Sequence, residues 1–487
     1  MPNIVLVGIG PHAKRIYIPY LNSLGLKPAL LVDIQSNEAR TRDYMQDNGL
    51  TSLAYFVNDA ARNDQTIRTA DRAALRALVE RLGISHAIIA TEPKAHMAYA
   101  KLFIELGLNI LMDKPISAPL GASHDIRSAR RIYTDYLELK HLYQEKRKTC
   151  DISFVVQAQR RFHPGYLYIA DLLERTVAEF GVPITHMDLY HSDGQWVMPH
   201  EVQHRENHPF KYGYGKLLHS GYHFVDLFAW FTAANNLLED KRPNRIQIHS
   251  TSVEPDDHFL QVSHENYRTF FPDNAAFDKF YKRYEPGQFA KFGDIDSYST
   301  IQLLHNDRTI TSGAINLLHN GFSRRSWGVQ AKDIYKGNGR VRHERINIQL
   351  GPLMNIQVHS YQSSEVKGSA ADIAREGVGS LDHFDIYIFR NVGIIGGEPV
   401  QVLRRHDIAG FHGETDYLGH NEMARKTAIT DFVNNQNSHS DLLEHQNTNY
   451  LMSLIHQGVV FRREGKSPFI DVPYNATEVG VPSQSGS

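Results

Sequence analysis

The stretch Ile4–Ala13 constrains the fold of this chain more than any other. Ile4, Val5, Leu6 and Val7 form an unbroken apolar run, and Gly8, Gly10 and Ala13 follow at the spacing G-x-G-x-x-A. A short β-branched run without polar alternation suits a parallel strand covered on both faces. The three small residues have separate mechanical roles. Gly8 permits a tight turn, Gly10 lets a pyrophosphate approach the backbone, and Ala13 lets the next helix pack close to the strand. The helix start then presents unpaired N–H groups and a positive dipole end to phosphate oxygens. Pro11 and His12 lie inside the same turn, so the expected cofactor-binding stretch is Gly8, Gly10, Pro11, His12 and Ala13.

A second apolar strand, Ala29–Val32, ends in Asp33 at the distance where a dinucleotide fold places an acid on the adenosine ribose hydroxyls. A carboxylate there repels a 2′-phosphate, which favours NAD, while Arg40 and Arg42 keep NADP open. Helix and strand patterns then alternate. Asn37–Asn48 is helix-compatible and Leu53–Val57 strand-like; Asp71–Leu82 carries Leu75, Leu78, Val79 and Leu82 at helical spacing, with Gly83 as its stop. The strand Ala87–Ala90 empties into Thr91-Glu92-Pro93 and a helix bearing His96. The strand Ile110–Met112 empties into Asp113-Lys114-Pro115. This alternation predicts a parallel sheet with helices on both faces. Ligands of such sheets bind beyond the carboxyl ends of the strands, where Thr91, Glu92, Pro93, His96, Lys114 and Pro115 fall.

With 487 residues the chain exceeds one ordinary core, so two domains are expected: a cofactor domain over 1–150 and a substrate and oligomerisation domain over 151–480, with insertions over 254–295 and 336–412. A formal net charge of -2 gives no electrostatic case for nucleic acid or an anionic membrane. No apolar run has bilayer length, and the amino end reads as a strand rather than a signal peptide. Cys150 is the single cysteine, which excludes an intrachain disulfide and suits a reducing cytoplasm. Only the tail Ser483–Ser487 reads as disordered.

Three pieces of the first half, VGIGPHA, ATEPKAH and MDKP, together resemble the glucose-fructose oxidoreductase and inositol dehydrogenase family, Gfo/Idh/MocA. Two departures stand out: Glu92 lies between Thr91 and Pro93, and Asp113 replaces the usual glutamate before Lys114. The resemblance implies a Rossmann domain followed by an α+β domain on an open, largely antiparallel sheet, and a lysine at the mouth of the dinucleotide site. Physics supports that lysine independently. Beside a cationic nicotinamide and partly desolvated, its charged form is disfavoured, so its pKa falls from about 10.4 towards neutrality.

In the second half, a long polar helix is expected from Pro119 onward, closing in the charge run Glu145–Lys148, followed by a strand over Ile152–Gln157. The segment QRRFHPGY resembles the family's entry into its second domain, which implies that Arg160 or Arg161 touches ligand; pairing with a carboxylate is an equal alternative. Gly165–Glu179 reads as a helix and Ile184–His191 as a strand. The run Tyr212–Phe231 then matches the family's second motif at Gly215, Gly221, His223 and Asp226. His219 stands where that motif has aspartate, with Tyr222 beside it as a substrate contact. On one continuous α-helix, positions 219, 223 and 226 would share a face. An imidazole at His223 can take an alcohol proton while hydride leaves, with His219 as second partner or as the base itself. The His-x-x-x-His pair, with His191, His200, His204 and His208 upstream, raises the question of a metal; without a cysteine cluster no metal site is expected.

Strand candidates follow at Ile246–Thr251, Ser297–Leu304, Thr309–Asn316, Trp327–Tyr335, Arg345–Leu350 and Met354–Ser360. In the resembled family such a sheet is substrate wall and oligomer face, implying a dimer or tetramer. The aromatic pieces between Asn266 and Tyr284 read as an insertion, and the end of the chain resembles the family's closing helix and final strand. The expectation is a cytoplasmic NAD(P)-dependent oxidoreductase that moves a hydride between nicotinamide and a secondary alcohol or ketone of a sugar, cyclitol or related polyol. Lys114, His223 and His219 are its catalytic residues. Two rivals stay open: a glycosidase using NAD in a transient oxidation, and a catalytically silent ligand sensor or scaffold on the same fold.

Overall fold

The protein is described by a computed structural model covering residues 2–194, 197–205, 209–270, 284–321, 341–363, 382–408, 420–436 and 438–474. The strand candidate Trp327–Tyr335, residue His208 and the tail Ser483–Ser487 lie outside the described residues, as does the middle of the aromatic insertion. The chain divides into two units. One comprises Met1–Pro119, Arg131–Phe162 and Asn421–Asn449, and the other Leu120–Arg130, His163–His420 and Tyr450–Ser487.

The first unit is built on six parallel strands: β1 (Ile4–Val7), β2 (Leu30–Ile34), β3 (Leu53–Val57), β4 (His86–Ile89), β5 (Asn109–Met112) and β6 (Phe154–Val156). Their order, β3-β2-β1-β4-β5-β6, is that of a doubly wound dinucleotide fold, and it reverses direction between β1 and β4. The apolar run read for β1 is buried throughout, as predicted for a strand covered on both faces. β6 is shorter than the expected Ile152–Gln157, and the helix expected from Pro119 begins only at Ile126 and runs to Arg147. Residues 120–124 form turns instead, and Asp125 caps the coming helix by accepting from Ser128 N at 2.8 Å.

The carboxyl-terminal segment completes this core. The helix His420–Val433 sends Ala424, Ala428, Ile429 and Phe432 into the cluster formed by Ile4, Leu6, Tyr17 and Leu31. Burial of this apolar side drives the docking, and the Tyr20 hydroxyl adds a bond to Thr430 Oγ1 at 2.9 Å. Because Thr430 already donates to the Lys426 carbonyl, Tyr20 is the donor. Replacing Thr430 by valine keeps the shape and removes the acceptor, so unfolding in urea is expected to show a loss of about 0.5–1.5 kcal/mol. An unchanged midpoint would place this contact outside the folding energetics.

The second unit carries nine strands: β7 (His186–Ser192), β8 (Arg245–Val253), β9 (Asp296–His305), β10 (Arg308–Leu318), β11 (Val341–Leu350), β12 (Met354–Ser363), β13 (Asp382–Arg390), β14 (Val400–Leu403) and β15 (Phe469–Pro473). The sheet order is β14-β13-β12-β11-β7-β10-β9-β8-β15. β7 and β10 run parallel and every other neighbouring pair is antiparallel. Ile346, Ile348, Ile356, Val358, Ile386 and Ile388 alternate along their strands as the buried face. The helix Pro164–Phe180 packs there, with Tyr166 meeting Phe384 edge to face at 5.2 Å. The helix Tyr222–Thr232 lays Phe224 flat on the His191 ring of β7 at 4.5 Å.

Candidate functional site

In the first unit the cofactor turn and the lysine turn are neighbours. Gly8 leaves β1 at φ +86°, in the left-handed region where glycine is favoured, and a Cβ there would stand 2.6 Å from the Thr91 backbone. Gly10 faces open space, with nothing within 4 Å of the position its Cβ would take. The following segment Ala13–Tyr17 is a π-helical turn before the α-helix Ile18–Ser23, so the expected α-helical start is wound wider by one residue per turn. Asp33 at the end of β2 is fixed by backbone donors, Ile34 N at 2.8 Å and Ile9 N at 3.1 Å, and by the Asn37 amide at 3.0 Å. A glycine turn with free space at Gly10 and a fixed carboxylate near the end of β2 fit a dinucleotide, whose pyrophosphate Gly10 would admit and whose ribose Asp33 would meet.

The turns after β4 and β5 are tied together by His96. Its fully buried ring places Nδ1 2.8 Å from the Pro115 carbonyl and Nε2 3.2 Å from that of Thr91, and burial pushes its pKa down to about 4. A neutral imidazole has one N–H to donate, so the shorter contact is the hydrogen bond. The Lys114–Pro115 peptide is cis. Glu92, the extra residue of the T-E-P turn, pairs with Lys94 at 3.2 Å. Asp113, one methylene shorter than the family's glutamate, accepts from the Tyr17 hydroxyl at 2.5 Å and lies 3.8 Å from His12 Nε2. The Lys114 ammonium acts electrostatically on Asp113, His96 and His12. His12 is held well below the ordinary imidazole value by burial, then by Arg425, Arg15 and Lys114. Tyr17 and Arg425 escape sequence reading, because neither belongs to a motif and Arg425 arrives from the far end of the chain.

Burial pushes the Asp113 carboxyl from 3.8 up to about 6, against its bond from Tyr17 and the charges of Lys114 and Arg425. A carboxyl with a raised folded pKa holds its proton more tightly in the folded state. Its stabilising contribution is complete below 3.8 and is lost as pH rises through about 6. Asp113→Asn still accepts from Tyr17 but cannot titrate. Thermal unfolding across this window is expected to show wild type losing stability relative to the variant as pH rises. A difference that stays constant with pH would overturn the assignment.

Arg160 and Arg161 sit in the turn Gln159–Phe162, and both are buried. Arg161 pairs with Glu444 at 3.0 Å, the carboxylate partner that the sequence left as one of two readings.

In the second unit the motif Tyr212–Phe231 is not one continuous α-helix. Leu217–Gly221 forms a π-helical turn, and the α-helix starts at Tyr222. The wider turn changes the angle between position 219 and positions 223 and 226 only modestly, since four residues of mixed π- and α-helix still make about one turn. The motif glycines serve packing, since a Cβ on Gly215 would lie 2.2 Å from Asp294 N, and one on Gly221 would lie 2.8 Å from Leu317. Tyr222, His223 and Asp226 are buried, and His219 keeps about a fifth of its side chain exposed. Beneath His219 lies a buried polar cluster that sequence reading missed: Asp193, Lys216, His191, His319 and Glu344. A lysine inside the apolar run Y-G-K-L-L was the available signal. Among the described residues, no group of three or more His, Cys, Asp or Glu side chains is placed to hold a metal ion, and no helix is long and apolar enough to cross a membrane.

Residues 2–175 match a family model described as the Gfo/Idh/MocA oxidoreductase family, NAD-binding Rossmann fold. That amino-terminal stretch is what this chain shares with the Gfo/Idh/MocA family. No curated protein matches the sequence. Solved structures share the fold over nearly the whole chain. An apo levoglucosan dehydrogenase aligns at 12% identity over 98% of this chain and 99% of its own, with a TM-score of 0.54. The WlbA dehydrogenase of Bordetella pertussis, solved with NADH and UDP-GlcNAcA, aligns at 12% identity over 97% and 98%, with a TM-score of 0.53. An aldose-aldose oxidoreductase of Caulobacter crescentus, complexed with glycerol, aligns at 10% identity over 97% and 99%, with a TM-score of 0.52. Residues 2–175 thus form an NAD-binding Rossmann domain.

Proposed function

We propose that this protein is an NAD-dependent dehydrogenase acting on a secondary alcohol or ketone of a sugar, cyclitol or related polyol. The observation that supports the reading is that the turn bearing Lys114 and Pro115 is tied through His96 to Thr91, whose backbone packs against Gly8 of the glycine turn. The substrate class rests on the sugar chemistry named for proteins of the same fold. NAD is preferred over NADP because Asp33 presents a carboxylate where a 2′-phosphate would sit.

Bound nicotinamide supplies the hydride acceptor. Gly8, Gly10, Pro11, His12 and Ala13 cradle its diphosphate, while Thr91, Glu92, Pro93, His96 and Pro115 shape the rim of that site. Lys114 orients the substrate hydroxyl and exchanges its proton. His223 and His219 are proton-transfer candidates, and Tyr222 is a substrate-contact candidate. Arg160 stays a substrate-binding candidate, and Arg161 serves it by position. A screen of polyols and sugars with NAD and NADP, following reduced nicotinamide absorbance, tests the proposal. Steady reduction of added NAD is expected. Glycoside cleavage without net cofactor turnover, or bound dinucleotide with no turnover on any polyol, would overturn it. We also propose a homodimer or tetramer formed through the open face of the large sheet, which light scattering of the full chain checks.

A further inference from the structure

His219 replaces an aspartate of the family motif, yet a carboxylate stands behind it. Asp193, the residue after β7, is buried, and its Oδ2 lies 3.9 Å from His219 Nδ1. The same oxygen accepts from Lys216 Nζ at 2.7 Å and from Ser220 Oγ at 3.2 Å, and it lies 3.4 Å from His319 Nδ1. The Lys216 side chain is fully buried and also donates to His191 Nδ1 at 2.8 Å. An ammonium has no lone pair, so His191 carries its own proton on Nε2, the nitrogen 3.9 Å from Glu344 and 4.0 Å from the second Asp193 oxygen.

We propose that Asp193 is the positioning residue for His219, supplying from the end of β7 the carboxylate that the motif has lost from position 219. The inference rests on the reading of His219 as a proton-transfer residue. Its geometry is that of an acid behind an imidazole: the carboxylate faces Nδ1 and selects the Nδ1–H tautomer, leaving the Nε2 lone pair to take a substrate proton. The contact at 3.9 Å is longer than a hydrogen bond, as such contacts often are before substrate binds. Burial opposes the charge on Asp193, but Lys216 and the surrounding histidines outweigh it and hold the carboxyl well below its ordinary range. Lys216 is thus the counterion that lets an anion persist beneath the site. The carboxylate has moved from the motif's helix turn to the adjoining strand end, and its role has moved with it.

The test begins with the unmodified full chain, labelled with 15N-histidine and studied by nitrogen–proton correlation above the imidazole titration range. The His219 signals are assigned by their loss in His219→Asn. The Nδ1–H tautomer is expected; an Nε2–H tautomer, the form an imidazole prefers in water, would overturn the proposal. Removing Asp193 alone strands the Lys216 charge, so the comparison variant is Asp193→Ala/Lys216→Met, which removes both charges together. It is expected to return His219 to Nε2–H and to lower kcat by about 10²-fold with a smaller change in KM. In a His219→Asn background the same pair of changes should cost nothing further, because groups acting through one another are not additive. Losses that multiply would show a merely structural role and overturn the proposal. Absence of polyol turnover in wild type would reject the dehydrogenase reading, while the tautomer still decides whether Asp193 positions His219.

Discussion

Lys114→Ala is expected to lower kcat for polyol oxidation by about 10²–10⁴-fold, the usual worth of one well-placed acid-base group. Dinucleotide affinity should stay close to that of wild type, because the proposed contacts to the diphosphate and ribose come from Gly8 to Ala13 and from Asp33, not from Lys114. Steady-state kinetics, together with fluorescence titration of reduced cofactor, separates the two quantities. Lys114→Arg sharpens the result. A guanidinium keeps the positive charge and cannot release a proton near neutral pH, so it should be nearly as inactive as alanine if Lys114 exchanges a proton. Activity close to wild type in the arginine variant would reduce Lys114 to a charge; unchanged turnover in the alanine variant would remove it from the mechanism.

Gly8→Ala is expected to destabilise the first unit by roughly 2–5 kcal/mol, combining about 1–2 for a side chain in the left-handed region with about 1–3 for overpacking. The atoms that a Cβ would meet are Thr91 Cα at 2.6 Å, Thr91 N at 2.7 Å and the Ala90 carbonyl carbon at 2.9 Å. All are backbone, so relief requires the turns after β1 and β4 to part, and those turns frame the cofactor site. Gly10→Ala provides the contrast. With nothing within 4 Å of its Cβ, it should leave stability almost unchanged and weaken dinucleotide binding, since the methyl fills space reserved for pyrophosphate. Urea unfolding and cofactor titration of the two variants should therefore separate cleanly. Equal stability of Gly8→Ala and wild type would mean that the two turns are not held at this distance.

The first unit was legible because its signals are local. The strands are short apolar runs that end at glycine or polar turns, and the turns after β1, β4 and β5 carry motif residues, so β1 to β5 and the helices between them follow from periodicity and spacing. The second unit was legible in outline. Most of its long strands were read within a few residues, whereas β13 and β14 escaped. The alternation of Phe384, Ile386 and Ile388 was there to be read, but β14 has four residues and little burial to mark it.

Positions along a chain carry less about a site than about a strand. His219 and His223 were visible as a pair, but the π-helical turn before Tyr222 was not. Asp193, Lys216, His319 and Glu344 come from four separate stretches and meet only once β7, β10 and β11 lie side by side. Arg425 likewise reaches Asp113 and His12 only because the helix His420–Val433 docks on a core laid down at the opposite end of the chain.

What the sequence alone determined is the dinucleotide domain: apolar runs, glycines at fixed spacing and an acid after the second strand are short-range constraints with few other solutions. What tertiary structure decided is which charges stand behind the reactive side chains. A buried carboxylate stays ionised only when a cation is packed against it. Whether such a cation is present depends on which strands become neighbours, and strand neighbours are chosen by long-range burial that no short stretch of residues specifies.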